Sequence, residues 1–204
     1  MRELVIATTN QGKLREIREL LSDLDLKITS LADYPGHPPI VEDGRTFAEN
    51  ALIKARIIAQ YTNKPTLGED SGLEVDALGN RPGIYSARFS GEGATDKKNN
   101  LKLLRLLRAV PYEQRQARYR CWIALVVGTE VLEVVGGSCG GVISFYSKGK
   151  NGFGYDPLFY IPRHEKTFGQ LDPAIKARIS HRARAFKRLR IVLEKYTASP
   201  WKGE

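Results

Sequence analysis

The segment from Ala117 to Phe145 most constrains the fold, because Val, Ile, Tyr and Trp dominate it and glycine-containing dipeptides interrupt it at Gly128-Thr129 and Gly136-Gly137. Runs of β-branched and aromatic residues between such turns are typical of consecutive strands. The segment therefore predicts a run of antiparallel strands, and a chain that contains it must be built around a sheet.

Outside this segment, apolar residues recur at the spacing of amphipathic helices. Three such stripes are Leu14, Ile17 and Leu21; Phe47, Ala51, Ala55 and Ile58; and Phe186, Leu189 and Leu193. Helices interspersed with strands predict an α/β (mixed α+β) fold, with an elongated mixed central sheet flanked by helices. At 204 residues and 42% hydrophobic content, the chain is long enough for a substantial core, and no segment resembles a linker. We expect a single domain over residues 1–204.

Composition limits the possible classes of protein. The longest aliphatic run, Ile123 to Val127, is too short to cross a bilayer, and the first residues contain charges that interrupt any apolar leader. We therefore expect a cytoplasmic protein without a membrane partner. The cysteines are Cys121 and Cys139, at no metal-ligand spacing, which argues against a disulfide scaffold and a zinc site. The net charge of +9 suits a phosphate-rich partner but does not separate a nucleotide enzyme from a nucleic-acid binder.

A polar segment follows the first predicted strand and opens the first predicted helix. It consists of Thr8, Thr9, Asn10, Gln11, Gly12 and Lys13. Backbone N–H groups and the positive end of the dipole make a helix start favourable for an anion. An N-cap by Asn or Thr beside an incidental lysine explains the same residues.

Adjacent carboxylates at Glu69 and Asp70 precede Ser71-Gly72, where we predict a solvent-reachable strand end. Only one of two adjacent side chains in extended backbone faces a given side, and the spacing alone does not decide which of the two carboxylates that is. A turn with solvated acids is the alternative. Asn50 and Lys54 are four residues apart and share one helix face.

Two aromatic residues and a carboxylate lie in Phe153-Gly154-Tyr155-Asp156, where one ring can stack on a nucleobase and Asp156 or the adjacent backbone can contact its edge. A turn without a ligand is the alternative here.

Further along, His181 and Arg182 place positive charge at a helix start, which opposes the helix dipole and would favour an anionic or carbonyl-bearing ligand. A surface helix start that tolerates two basic residues is the alternative.

Together with Phe47–Ala55 and Pro82–Phe89, these motifs resemble the inosine triphosphate pyrophosphatase (Ham1-like) family over nearly the whole chain. The resemblance implies two lobes with a cleft between them, a homodimer, Mg²⁺ as cofactor and Asp70 as general base and metal contact. It also implies substrate contacts by three groups of residues: Thr8 to Lys13; Lys54 and Ser71; and Phe153, Gly154, Tyr155, Asp156, Lys176, His181 and Arg182. By the same resemblance, Glu49 lies near phosphate and metal.

The chain departs from the family pattern at Val41-Glu42-Asp43, where members commonly have two consecutive glutamates. Glu42 is our candidate for a second metal ligand, with Asp43 or Glu69 as substitutes. A second departure, Gly169-Gln170-Leu171, removes a charge but no residue to which we assign chemistry.

These features predict hydrolysis of non-standard purine nucleoside triphosphates (ITP, dITP and XTP) to the monophosphate and pyrophosphate. The partner is then a small molecule, with no obligate nucleic acid. Two alternatives remain open. One is a basic nucleic-acid-binding module that uses aromatics such as Tyr119, Trp122 and Tyr155. The other is a nucleotide pyrophosphatase with a different base preference, such as modified pyrimidines.

Overall fold

The computed structural model describes residues 2–198, which form an eight-stranded sheet and five α-helices. The strands are β1 (Arg2–Ile6), β2 (Leu26–Ser30), β3 (Thr66–Val75), β4 (Arg81–Pro82), β5 (Gln116–Val127), β6 (Glu130–Ile143), β7 (Phe159–Ile161) and β8 (Lys166–Thr167). The helices are α1 (Gln11–Leu20), α2 (Phe47–Thr62), α3 (Asp96–Leu106), α4 (Pro173–Ile179) and α5 (His181–Ala198).

The sheet is mixed, with the strand order β2-β1-β3-β5-β6-β7-β8 and with β4 paired to β3. Strand β1 runs parallel to β2 and β3, whereas β6 and β8 run antiparallel to β7. The predicted α/β fold with a mixed sheet flanked by helices is confirmed. The strands predicted between Ala117 and Phe145 are β5 and β6, which are joined at Gly128-Thr129 with Gly128 at a φ of 58°. The interruption predicted at Gly136-Gly137 was wrong, because both glycines lie inside β6.

The described residues divide into two compact units. Unit 1 comprises residues 2–70, 121–137 and 182–198, and unit 2 comprises residues 71–120 and 138–181. The single domain predicted over 1–204 stays a prediction, as does the cleft between two lobes; residues 1 and 199–204 lie outside the described part. No helix within residues 2–198 combines the length and apolar character that crossing a bilayer requires.

Unit 1 is built around the strand-loop-helix start predicted from the sequence. Leu4 and Ile6 of β1 pack with Leu14 and Ile17 of α1 and with Leu189 of α5 in one buried cluster. Each of these side chains is less than about 4% exposed. Burial of an aliphatic side chain of this size stabilises a fold by about 1.5–3 kcal/mol. The loops that follow β1 and precede α5 are therefore anchored by a well-packed core.

Unit 2 has a core of its own, in which aromatic rings predominate. Tyr119 of β5 meets Phe159 of β7 edge-to-face, with ring centroids 4.7 Å apart, and it stacks on Phe168 at 6.0 Å. Leu103 of α3 is fully buried in the same cluster. This core places α3 and the loop around Tyr155 on a common aromatic base.

Candidate active site

The predicted anion-binding segment lies at the start of α1. Asn10 is the N-cap, and its side chain accepts a hydrogen bond from the N–H of Lys13 at 3.0 Å. The hydroxyl of Thr8 accepts one from the N–H of Asn10 at 3.1 Å. Gln11 and Gly12 fall in the first turn, which contains no acidic residue, so an unopposed positive dipole end faces outward from the helix. The side chains of Thr8 and Asn10 form local capping bonds, which the alternative interpretation of this segment expected. Phosphate binding by the segment stays a prediction.

The buried carboxylate of Glu69 contacts two basic residues that lie far apart along the chain. Its side chain is 0% exposed and forms an ion pair with Lys13 at 3.0 Å. On its other oxygen it accepts a hydrogen bond from Arg182 at 3.0 Å and one from the Cys121 thiol at 3.2 Å. Arg182, itself 1% exposed, also forms an ion pair with Glu16. Glu69 is therefore enclosed and paired with two cations, which disfavours it as a metal ligand.

The second cluster in unit 1 surrounds Asp70. Lys54 Nζ lies 3.1 Å from the Asp70 carboxylate and 2.8 Å from that of Glu42. Asn50 is completely buried, and its amide donates to the other oxygen of Asp70 at 3.3 Å. The same amide group accepts a hydrogen bond from the N–H of Gly44 at 2.9 Å, which fixes its orientation. Asn50 was missing from the predicted site, although its spacing from Lys54 was the available signal.

The charges of this cluster are mutually dependent. Burial raises the pKa of Asp70, and Lys54 and Lys13 offset only part of that effect. Burial lowers the pKa of Lys54, but attraction to Asp70 and Glu42 outweighs it and the net shift is upward. A carboxylate with a raised pKa is a better proton acceptor than an exposed one. Asp70 therefore has the character of a general base next to a fixed cation.

Asp70 lies inside β3, and the expectation of a solvent-reachable strand end was wrong. It is 6% exposed, and the strand continues for five residues beyond it, to Val75. Gly68 explains the close approach of β3 to α2, because a Cβ at this position would lie 2.0 Å from the carbonyl oxygen of Ala51. Only glycine permits such a backbone contact, and it brings Asp70 within reach of Lys54.

Three other predicted residues are more exposed than Asp70. Glu49 is exposed and accepts a hydrogen bond from the N–H of Arg45 at 2.6 Å, so it closes the start of α2. Asp43 is exposed in the loop before α2. Ser71, which follows Asp70 in β3, is half-buried. The structure thus favours Glu42 over Asp43 as the partner carboxylate.

The predicted base-binding loop belongs to unit 2, where Asp156 organises it. One oxygen of its carboxylate accepts the N–H of Phe153 at 2.9 Å and pairs with Lys176 at 2.5 Å. The ammonium group of Lys176 lies 5.1 Å from the centre of the Phe153 ring. Asp156 is 2% exposed, so it holds the loop and Lys176 in place rather than presenting an open edge to a base.

The two aromatic rings in this loop differ in exposure, since Phe153 is half-buried and Tyr155 is buried. Tyr155 is 4% exposed, and its hydroxyl donates to the carbonyl of Ser86 at 2.8 Å. The Tyr155 N–H donates to the hydroxyl of Tyr119 at 3.1 Å. His181 lies flat on the Tyr119 ring, with centroids 4.5 Å apart and an interplanar angle of 8°. Tyr155 therefore supports the loop from inside the core.

A pocket of about 420 Å³ adjoins this loop within unit 2. Phe153 and Gly154 line it together with Lys150 and with Asp96 and Asn100 of α3. The volume lies within the range of small-molecule clefts and exceeds that of one purine ring.

A metal site of three or more His, Cys, Asp and Glu side chains is absent from residues 2–198. Mg²⁺ does not require one, since it is commonly bound by one or two carboxylates together with substrate phosphates and water. Glu42 and Asp70 offer such a pair, because both carboxylates approach the one ammonium group of Lys54. The residues present therefore fit Mg²⁺.

Comparison with known proteins identifies the family. The sequence profile described as the Ham1 family matches residues 4–192. The chain belongs to the Ham1 family. It is 48% identical over 193 residues to the dITP/XTP pyrophosphatase of Desulforamulus reducens, covering 95% of this chain and 96% of that protein. It is 47% identical over 189 residues to the dITP/XTP pyrophosphatase of Geobacillus kaustophilus, covering 93% of each.

Among solved structures, a HAM1 protein from Coxiella burnetii superimposes with a TM-score of 0.86 at 42% identity, covering 96% of this chain and all of that one. The family predicted from the local motifs is confirmed. All the motifs from which the resemblance was drawn lie within the matched residues 4–192.

Proposed function

We propose that this protein hydrolyses dITP, XTP and ITP to the corresponding monophosphate and pyrophosphate. The observation that most supports this proposal is the position of Asp70, a buried carboxylate with a raised pKa held 3.1 Å from Lys54. Several relatives of 42–48% identity are dITP/XTP pyrophosphatases, which agrees with it. The cytoplasmic nucleotide pool is the proposed place of action.

In the proposed mechanism, Asp70 accepts a proton from the water that attacks phosphorus, while cations neutralise the triphosphate. The bond between the α and β phosphates breaks, and pyrophosphate leaves. General-base assistance of this kind contributes about 10²–10⁴ in rate. Lys54 and Lys13 supply positive charge, and the N-terminus of α1 supplies backbone N–H groups for phosphate oxygens. Glu42 and Asp70 would hold Mg²⁺, which supplies charge neutralisation on the phosphates when bound.

We assign the base to the loop of unit 2. Phe153 stacks on the purine, which stabilises any base by about 1–3 kcal/mol without selecting among them. Selection then depends on hydrogen-bond donors for the 6-oxo group, and Lys176 and His181 are the candidates. Adenine presents a donor at this position, and a buried site that loses its hydrogen bonds rejects a mismatched edge by roughly 10⁴–10⁵.

The three aromatic residues named for the nucleic-acid-binding alternative give it little support. Stacking on bases needs accessible rings, but Tyr119 and Tyr155 are 7% and 4% exposed, and Trp122 is partly buried against an apolar cluster. We therefore argue for the enzyme. A homodimer, which the resemblance implies, belongs to this proposal and is testable by sedimentation.

A panel of nucleoside triphosphates tests the proposed function. Pyrophosphate release is measured with Mg²⁺ for dITP, XTP, ITP, GTP, ATP and modified pyrimidine nucleotides. We expect kcat/KM for dITP and XTP to exceed that for ATP by about 10⁴. A preference for pyrimidines would support the alternative base specificity, and inactivity towards every nucleotide would refute both enzymatic readings.

A further inference from the structure

Two side chains of helix α3 form hydrogen bonds with the backbone of the base-binding loop. Asp96 and Asn100 are four residues apart and so lie on one face of the helix. The N–H of Gly154 donates to Asp96 Oδ2 at 2.7 Å, and Asn100 Nδ2 donates to the carbonyl oxygen of Gly154 at 2.9 Å. Both polar groups of this one residue are therefore held by α3.

Gly154 is the residue of the loop whose backbone these two hydrogen bonds restrict. Its φ of 62° lies in the left-handed region, which glycine adopts without steric cost, and glycine loses more conformational freedom on folding than any other residue. It directly follows Phe153, so the Gly154 backbone constrains the position from which the Phe153 ring projects. Asp96, Asn100 and Phe153 also line the same pocket. The two hydrogen bonds therefore fix the backbone of the pocket wall against which a base would be placed.

The choice of asparagine at position 100 is explained by this contact. The side chain is 9% exposed, and its Oδ1 is buried without a hydrogen-bond partner among the described residues. A buried acceptor without a partner costs free energy, which an apolar side chain would avoid. Donation to the Gly154 carbonyl oxygen is the hydrogen bond that an apolar residue could not make.

We infer that Asp96 and Asn100 are positioning residues for base recognition, which act on the substrate through Gly154 and Phe153. This inference rests on the proposed function and names residues that the family motifs did not include. The sequence signal was the spacing of two polar residues at the start of a helix, but no pattern indicated what they bind.

The test compares Asp96→Ala and Asn100→Leu with wild type, using dITP and XTP as substrates. We expect KM to rise roughly 5- to 150-fold, the range of one base–aromatic stack, with kcat within about threefold. Calorimetry should give the same dissociation constant for inorganic tripolyphosphate, which has no base, in the two variants and in wild type. Asp96→Asn, whose amide oxygen still accepts the Gly154 N–H, should recover most of the loss. Arg105→Ala, at an exposed position of the same helix, is the control.

An unchanged KM in both folded variants would overturn the inference while leaving the proposed function intact. Equal weakening of dITP and tripolyphosphate binding would also overturn it, because that result indicates a general structural role. Asp96 is exposed, so Asp96→Ala decides the question if Asn100→Leu fails to fold. A wild-type protein without activity on any purine nucleotide would refute the proposed function and this inference together.

Discussion

At the scale of single residues, the chemistry depends on how carboxylates and cations are paired in unit 1. Lys13 and Arg182 meet at Glu69, while Lys54 joins Glu42 to Asp70. Removal of one partner from a buried ion pair costs about 3–5 kcal/mol, because it leaves an uncompensated charge. The paired arrangement keeps the cations charged and in place before a polyanionic ligand arrives.

Replacement of Asp70 tests its assignment as the base. In Asp70→Asn the amide keeps the shape of the side chain and can still accept from Lys54, so we expect a folded protein. We expect kcat to fall by about 10²–10⁴. Steady-state pyrophosphate release measures the rate, and circular dichroism verifies the fold. Glu19→Gln, which alters an exposed carboxylate on α1, should retain activity, and near-normal turnover by Asp70→Asn would contradict the assignment.

At the scale of secondary-structure elements, the catalytic cluster depends on the packing of β3 against α2. The sequence predicted α2 and the shared face of Asn50 and Lys54, because helical periodicity is a local property. It did not predict that β3 extends from Thr66 to Val75, since the Glu69-Asp70-Ser71-Gly72 segment resembles a turn. The burial of these acids follows from contacts with α2 and α5, which local spacing does not encode.

Gly68→Ala tests this packing. An added methyl group would collide with the backbone of α2, so β3 must shift away from it. Overpacking of this kind costs about 1–3 kcal/mol, and the shift should separate Asp70 from Lys54 and lower kcat. Urea unfolding and pyrophosphate release measure the two effects. Gly140→Ala in β6, where an added Cβ meets nothing within 4 Å, is the matched control. Full activity in Gly68→Ala would show that the cluster tolerates displacement of β3.

At the scale of the whole molecule, the mixed sheet could be predicted because strand and helix periodicities alternate along the chain. The positions of the candidate site residues were predictable only through family resemblance. Their contacts were not: Asp156 was expected at the edge of the base, but the structure shows it bound to Lys176 and to the Phe153 backbone. Asp96 and Asn100 were missed because their partner is 54 or more residues away along the chain.

The net charge of +9 does not by itself separate a nucleotide enzyme from a nucleic-acid binder. The ion-pair clusters of unit 1 are not its source, because Lys13, Lys54 and Arg182 contact four carboxylates there, those of Glu16, Glu42, Glu69 and Asp70. The central claim is therefore the identity of the reaction rather than the sign of the charge.

Phosphorus NMR of the products formed from dITP with Mg²⁺ tests that claim most directly. We expect equal amounts of dIMP and pyrophosphate from wild type, and formation of both about 10²–10⁴ times more slowly from Asp70→Asn. Formation of dIDP and orthophosphate by the wild-type protein would contradict the claim, because the bond broken would then be the terminal one.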